Sequence, residues 1–182
     1  MYPINGRVNE RGVSTAHMLV NMLDTWGKAL DMPNTAVRVV FLDFAKVFDR
    51  INHHKSMDKY ESLSVPPTIL RWLYSFLQGR TQAYKICNTI SKPLSSNGAV
   101  PQGAILGLDC FTTMIDDMKA QHPVCKYVDD STPFEILSQN ETSTLQQSIN
   151  TIQEWSRRND MRLNGNKTHE MTICFKTKSP EI

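Results

Sequence analysis

The sequence predicts an α+β fold, in which helices stand beside β-hairpins rather than alternating strictly with parallel strands. Several segments of the 182 residues repeat apolar side chains at spacings of three and four, which is typical of amphipathic helices. Between them lie short apolar runs rich in β-branched residues. Two of these runs flank a polar, proline-containing bend and therefore favour a hairpin.

Local signals place each element along the chain. Ser14–Thr15 can cap a helix with an apolar stripe from Met18 to Trp26. The nearly continuous apolar run at 37–44 is typical of a strand buried on both faces. In chain order the predicted elements are a helix that begins at 14–15 and is ended by the proline-containing segment 31–34, a strand at 37–44, helices at 48–63 and 68–77, a strand at 83–90, a loop at 95–103, a helix at 104–118, short strands at 124–128 and 134–137 around a bend at 129–133, a helix at 142–161 and a strand at 171–175.

Composition excludes several classes of protein. Hydrophobic residues make up 40% of the chain and charged residues 21%, as in ordinary globular domains. No apolar run approaches the roughly 20 residues that a membrane-spanning helix needs, so no membrane partner is expected. The four cysteines are scattered without metal-ligand spacing, which argues against a zinc site or a disulfide framework.

Net charge is only +2, but basic residues are concentrated near the end of the chain. Between Trp155 and Lys178 the basic residues outnumber the acidic ones, and Arg157, Arg158 and Arg162 lead this cluster. Such a cluster fits either a solvated surface or a contact with the phosphates of a nucleic acid.

Three carboxylates are candidates for a metal site. Asp43 ends the predicted buried strand, and Asp129 and Asp130 lie at the predicted hairpin bend. If the two strands are neighbours, these carboxylates could hold a pair of Mg²⁺ ions about 3.5–4 Å apart, the arrangement used in phosphoryl-transfer sites. Ordinary turn chemistry also accounts for an Asp-Asp-Ser-Thr sequence, so spacing alone leaves both interpretations open.

Four ordered motifs surround these residues. They are L-D-F-A-K-V-F-D-R-I-N-H at 42–53, G-A-V-P-Q-G-A-I-L-G at 98–107, Y-V-D-D at 127–130 and M-R-L-N-G-N-K-T at 161–168. Together they resemble, in the same order, the conserved blocks of reverse transcriptases from non-LTR (LINE-type) retrotransposons. The resemblance implies a polymerase palm, which is a small antiparallel sheet backed by helices and carrying an Asp-Asp hairpin, together with a partial fingers segment.

The resemblance also implies roles at the catalytic centre. Asp43, Asp129 and Asp130 would bind two Mg²⁺ or Mn²⁺ ions, with the backbone carbonyl of Phe44 as a further ligand. Lys167 would protonate or neutralise the leaving pyrophosphate. The implied reaction is RNA-directed DNA synthesis, in which a primer 3′-OH attacks a dNTP on a template-primer of RNA or DNA.

Residues in the other blocks would contact the nucleotide. Phe48 would crowd a ribose 2′-OH and so favour deoxynucleotides, although an ordinary core aromatic is the alternative interpretation. The remaining nucleotide contacts implied by the resemblance are Arg11, Pro101, Gln102, Gly103 and Tyr127. Glycine at 103 would let the backbone approach a ligand closely.

The predicted organisation is a single domain over 1–182, with a fingers remnant at 1–36 and the palm at 37–178, and with thumb and endonuclease absent.

Two residues depart from the family pattern. Asp109 is expected to be a costly buried carboxylate in the middle of a helix. Pro133 would remove a ladder hydrogen bond unless its strand lies at the edge of the sheet. A nuclear site of action is implied by the family alone.

Two other functions compete with the polymerase. One is an inactive, truncated remnant that at most binds nucleic acid. The other is a phosphoacceptor domain in which Asp43 is phosphorylated with Mg²⁺ held by neighbouring acids. That alternative requires an acidic pair before the acceptor strand and regular alternation of strands and helices, whereas the Asp-Asp pair here comes long after Asp43.

Overall fold

The computed structural model describes residues 15–95, 98–100, 104–127 and 129–175. They form helices α1 (Thr15–Leu30), α2 (Val47–Arg50), α3 (His53–Ser62), α4 (Pro67–Leu77), α5 (Ile105–Asp116) and α6 (Leu145–Arg158), and strands β1 (Ala36–Asp43), β2 (Thr81–Gln82), β3 (Lys85–Ile86), β4 (Thr89–Ile90), β5 (Leu94–Ser95), β6 (Val124–Tyr127), β7 (Asp130–Leu137) and β8 (His169–Ile173). The mixture of helices with antiparallel sheets confirms the predicted α+β class.

The chain divides into two compact units. The first contains the described parts of Met1–Ala45, Met118–Arg158 and Arg162–Ile182, and the second contains the described parts of Lys46–Asp117 with Asn159–Met161. No helix among the described residues is long and apolar enough to cross a membrane.

A four-stranded antiparallel sheet in the order β6-β7-β1-β8 forms the centre of the first unit. Helix α1 covers one face, where Trp26 packs edge-on against Phe134 with ring centroids 5.8 Å apart. Val37 and Val39 of β1 are fully buried in the same cluster. The predicted buried strand at 37–44 is therefore present, displaced by one residue.

Helix α6 supplies the second apolar layer of this unit. Leu145, Ile152 and Trp155 are buried, and the Trp155 ring meets Phe44 at a centroid distance of 6.0 Å. At the N-terminus of α6, the backbone N–H of Thr144 donates to Glu135 Oε1 on β7, at 2.9 Å. This bond links the start of the helix to the sheet.

Strand β7 is longer than predicted and it is not at the edge of the sheet. It begins at Asp130 and lies between β6 and β1, so the bend expected at 129–133 is mostly strand. Pro133 is fully buried on this internal strand. Because proline has no N–H, the ladder with β1 is interrupted between the Val39–Phe134 and Leu42–Ser131 pairs.

The second unit begins with two helices where the sequence predicts one. The predicted helix at 48–63 is broken between α2 and α3, where Asn52 adopts an extended conformation. Its side-chain oxygen accepts from the N–H groups of His54 (3.0 Å) and Lys55 (3.3 Å), which makes Asn52 the N-cap of α3. A local side-chain cap thus starts a new helix inside the segment that the sequence predicted as continuous.

Two small antiparallel ladders replace the predicted strand at 83–90. β2 pairs with β5, and β3 pairs with β4 inside them. The residues of all four strands are exposed, so these ladders are held by backbone pairing rather than by burial.

The expectation that Asp109 is a buried, unpaired carboxylate is wrong. It lies on an exposed position of α5 rather than in the core, and it is paired, because the hydroxyl of buried Tyr60 donates to its Oδ2 at 2.6 Å. The carboxylate therefore accepts a hydrogen bond from a buried hydroxyl, which also contacts Cys110 Sγ at 3.5 Å, and the predicted penalty does not arise.

Candidate active site

Strand pairing brings the candidate carboxylates together in the first unit. Asp43 is the last residue of β1 and pairs directly with Asp130, the first residue of β7. On the other side of β7, Asp130 pairs with Tyr127 of β6. Directly opposite residues in antiparallel strands have Cα atoms about 4.5–5.5 Å apart, so the two aspartates share one end of the sheet.

A short segment after α6 reaches the same end of the sheet. Leu163 bridges to Phe44, and the N–H of Asn164 donates to the backbone carbonyl of Asp43 at 2.8 Å. The Asn164 side chain then donates through Nδ2 to Asp43 Oδ2 at 3.0 Å. One turn later, Lys167 Nζ lies 3.4 Å from the same oxygen. Asp43 is thereby held by an amide and a cation from a single segment.

Asp130 lies in a field of like charge. Partial burial and the negative charges of Asp129 and Asp43 raise the pKa of Asp130 above its usual value, while Lys167 opposes the shift. Lys167, which is near Asp43 and acts on Asp130, is itself mostly exposed, with 69% of its side-chain surface accessible. The cluster therefore carries excess negative charge that a divalent cation would neutralise.

The donor chemistry fits Mg²⁺, a hard cation that prefers carboxylate oxygens. Asp43 and Asp130, with Asp129 beside them, supply such oxygens, and the repulsion among these neighbouring carboxylates favours cation binding. Among the described residues, however, no three acidic, histidine or cysteine side chains are already arranged around one point. The side chains would therefore have to turn toward a bound ion.

A cavity of about 290 Å³ opens beside the carboxylates. Its lining includes Met18 and Met22 of α1 and Phe41 and Tyr127 of the sheet. Asp43, Asp130 and Lys167 also line it. Bulky apolar side chains on two sides thus leave accessible space next to the charged cluster.

The structure places the remaining candidates in different surroundings. The Phe44 ring is buried against Trp155, so only its backbone could serve as a ligand. In the second unit, the Phe48 ring packs against Phe111 at a centroid distance of 5.6 Å. Arg157, Arg158 and Arg162 are exposed. Arg11, Pro101, Gln102 and Gly103 lie outside the described residues.

Sequence reasoning assigned no role to Asn164, yet it makes two hydrogen bonds to Asp43. The sequence pointed to Asn164 only through its position three residues before Lys167 in the same motif. Asparagine is also common in turns, so that position alone did not indicate a contact with Asp43. Its role depends on the segment reaching the end of β1, which only the folded chain reveals.

Comparisons with known proteins agree on one family. A family model described as "Reverse transcriptase (RNA-dependent DNA polymerase)" matches residues 7–181. The RNA-directed DNA polymerase from mobile element jockey of Drosophila melanogaster is 29% identical over 156 residues, covering 76% of this chain. The probable RNA-directed DNA polymerase from transposon BS of the same organism is 29% identical over 153 residues, covering 78% of this chain. These matches confirm the resemblance read from the motifs.

The chain spans only part of these proteins, 16% of the jockey protein and 17% of the BS protein. Among solved structures, telomerase from Candida tropicalis, in complex with a fragment of telomeric RNA, superposes with a TM-score of 0.65 at 15% identity. The superposition covers 89% of this chain and 31% of the telomerase chain. Telomerase from Candida albicans gives a TM-score of 0.55 at 14% identity, covering 93% and 32%. At such identities the likeness concerns the fold.

Proposed function

This chain belongs to the reverse transcriptase (RNA-dependent DNA polymerase) family, and we propose that it forms the catalytic palm of an RNA-directed DNA polymerase from a non-LTR retrotransposon. In this proposal residues 37–178 are the palm, with an Asp-Asp hairpin between β6 and β7, and residues 1–36 are part of the fingers. The observation that carries the proposal is the pairing of Asp43 with Asp130 in adjacent strands.

We assign the metal-binding role to Asp43, Asp129 and Asp130, with the Phe44 carbonyl as a further oxygen ligand. Two Mg²⁺ or Mn²⁺ ions bound there would promote attack by the primer 3′-OH and neutralise charge on the leaving pyrophosphate. The support within the chain is that partial burial and the neighbouring Asp129 and Asp43 raise the pKa of Asp130, while Lys167 opposes the shift.

The chain's own residues orient this cluster. Asn164 donates to Asp43 Oδ2 and so fixes the direction of that carboxylate. Lys167 lies 3.4 Å from the same oxygen but is largely exposed, which leaves its ammonium group able to approach an incoming triphosphate. We propose that Lys167 neutralises or protonates the leaving pyrophosphate.

The substrates follow from the same assignment. We propose a template-primer of RNA or DNA and dNTPs as substrates, in keeping with relatives named as RNA-directed DNA polymerases. The residues proposed to contact the nucleotide are Arg11, Phe48, Pro101, Gln102, Gly103 and Tyr127, and those proposed to contact nucleic-acid phosphates are Arg157, Arg158 and Arg162.

The test is primer extension on an RNA template with purified chain, dNTPs and Mg²⁺ or Mn²⁺. Extension should be lost in Asp129→Asn and retained in the matched control Asp58→Asn, since Asp58 lies exposed on α3. Equal extension by the wild type and Asp129→Asn would overturn the metal-ligand assignment. A folded wild-type chain without extension would instead favour the inactive nucleic-acid-binding remnant.

A further inference from the structure

The second unit contains a long stretch of one-sided charge. No acidic residue lies between Glu61 and Asp109, whereas Arg71, Arg80, Lys85 and Lys92 all fall within that stretch. A net charge of +2 for the whole chain hides this local excess. Positive charge without interspersed acids favours an anionic partner.

Three side chains of the same stretch stack in series. The rings of Trp72 and Phe76, four residues apart on α4, are nearly parallel (27°) with centroids 6.3 Å apart. Past the end of the helix, the Arg80 guanidinium carbon lies 4.1 Å above the Phe76 ring. We call Trp72, Phe76 and Arg80 the aromatic ladder.

Arg80 is fixed in this position by a second contact. Its Nε donates to the backbone carbonyl of Phe76 at 2.6 Å, within the last turn of α4. A guanidinium group held through Nε and one face keeps its terminal N–H groups available for an anion, because Arg carries five donors in a planar fork.

Trp72 is the exposed member of the ladder, while Phe76 and Arg80 are half-buried. Trp72 has 56% of its surface exposed, whereas Trp26 and Trp155 have 4% and 5%. The buried residues of α4 are Leu73 and Leu77, which face a different direction from Trp72. The Trp72 ring is therefore not part of the buried face of α4 and is available to stack with a ligand.

We propose that the aromatic ladder binds single-stranded nucleic acid, with bases stacking on Trp72 and a phosphate contacting Arg80. Exposed aromatic rings interleaved with cations are the arrangement that binds single strands with little sequence preference. A hydrophobic protein partner would not explain the absence of acids over the whole stretch. A duplex would offer phosphates but no accessible base faces.

This proposal goes beyond the proposed polymerase activity, because it requires neither metal nor reaction. The carboxylate cluster belongs to the first unit and the ladder to the second. Binding to the ladder is therefore measured in EDTA with an unprimed strand. Failure of ladder binding and failure of primer extension are then separate results.

The first experiment is fluorescence anisotropy with labelled unstructured RNA, DNA of the same sequence and a blunt duplex. Trp72→Ala should weaken binding to both single strands by about tenfold, since stacking is worth roughly 1–3 kcal/mol per base. Trp72→Phe should retain most of the affinity. The matched control is Phe175→Ala, which removes an 81% exposed aromatic ring outside the ladder and should leave binding unchanged.

Arg80→Lys separates charge from stacking. Lysine keeps the positive charge but loses the planar contact with Phe76, so affinity should fall while the dependence on salt stays nearly the same. Arg80→Gln should also reduce the salt slope, by about 0.7 for one lost phosphate contact on a single strand. Circular dichroism of each variant checks that the chain is folded.

Intrinsic fluorescence gives a direct readout. Because Trp72 is the exposed tryptophan and the other two are buried, a stacked base should quench the Trp72 signal, and the quenching should disappear in Trp72→Phe. Unchanged affinity in folded Trp72→Ala would overturn the proposal. So would equal binding of duplex and single strands, or self-association that depends on Trp72 without any binding of nucleic acid.

Discussion

Asp43 and Asp130 are direct partners across the β1–β7 ladder, each at the terminal residue of its strand. This relationship turns two residues far apart in sequence into one charged cluster, with Asp129 next to Asp130 and Lys167 beside Asp43. The arrangement costs stability without a counter-ion, because like charges are held close together. Removing one of these negative charges should therefore relieve the repulsion among the three carboxylates.

Asp130→Asn should reduce that repulsion. Without divalent metal, its melting temperature should equal or exceed that of the wild type, by up to a few degrees. Mg²⁺ should raise the melting temperature of the wild type but hardly that of the variant, because a ligand that binds the folded state stabilises it. Thermal unfolding with and without Mg²⁺ measures both effects. Asp58→Asn should respond to Mg²⁺ as the wild type does, and a full Mg²⁺ shift in Asp130→Asn would remove Asp130 from the ligand set.

Phe48→Ala should relax discrimination against ribonucleotides if Phe48 crowds the 2′-OH. Competition between rNTP and dNTP in primer extension measures this ratio. Because Phe48 also packs against Phe111, the change should cost some stability through lost contact. Phe111→Leu disturbs the same packing without removing the proposed gate. Selectivity that changes equally in both variants would mean that packing, not a gate, is responsible.

Asp109→Leu should lower stability, although the sequence alone suggested a gain. Replacing Asp109 removes the closest acceptor of the Tyr60 hydroxyl, and the remaining contact with Cys110 Sγ, at 3.5 Å, is weaker. Tyr60 is only 4% exposed, so water does not readily replace the lost acceptor. The cost should be about 1 kcal/mol, since the carboxylate end of the pair is near water. A double-mutant cycle with Tyr60→Phe measures the coupling. Additive effects of the two substitutions would show that this hydrogen bond contributes nothing.

Glu135 should make the free energy of unfolding depend on pH in the acidic range. Burial by itself would raise the pKa of Glu135, but hydrogen bonds from Ser143 and Thr144 and the nearby His122 outweigh it and leave the pKa lowered. Arg38 of β1, which pairs with Glu135 in the sheet, also donates to Ser143. A lowered carboxyl pKa stabilises the fold above the unfolded value of about 4.3, and that stability is lost as pH falls through the folded pKa.

The variant Glu135→Gln isolates this effect. Its free energy of unfolding should be lower than that of the wild type at neutral pH, and the difference should shrink as pH falls below about 4. Urea unfolding at a series of pH values gives both curves. Glu154 is an exposed acid on α6 and supplies the control. The free energy of unfolding of Glu154→Gln should follow that of the wild type at every pH. A difference between Glu135→Gln and wild type that is independent of pH would contradict the assignment.

Two fully buried serines offer a matched comparison of hydrogen bonding. Ser148 Oγ accepts a hydrogen bond from the backbone N–H of His122 at 3.1 Å, and it lies 2.8 Å from the ring nitrogen Nδ1 of the same residue. Ser131 Oγ has no hydrogen-bond partner among the described residues. Ser148→Ala should therefore destabilise the fold by about 1–3 kcal/mol, while Ser131→Ala should be neutral or stabilising. Equal changes in melting temperature would show that Ser131 has a partner in solution.

The amino-acid sequence by itself determined the class of fold, the approximate positions of most helices and the four motifs that identify the family. These features are local or ordered along the chain. The apolar stripe of α1 and the continuous apolar run of β1 each follow from the period of a single element. The Asp43, Asp129 and Asp130 candidates were likewise visible, because their motifs contain them.

Tertiary structure decided what each of these residues contacts. Whether β7 was an edge or an internal strand depended on a distant segment, β1, and that choice set the consequence of Pro133. The partner of Asp109 came from α3, and the hydrogen bond from Asn164 to Asp43 required a segment that follows α6. Periodicity reports which face of an element is apolar, whereas register and long-range hydrogen bonds depend on which elements become neighbours in the folded chain.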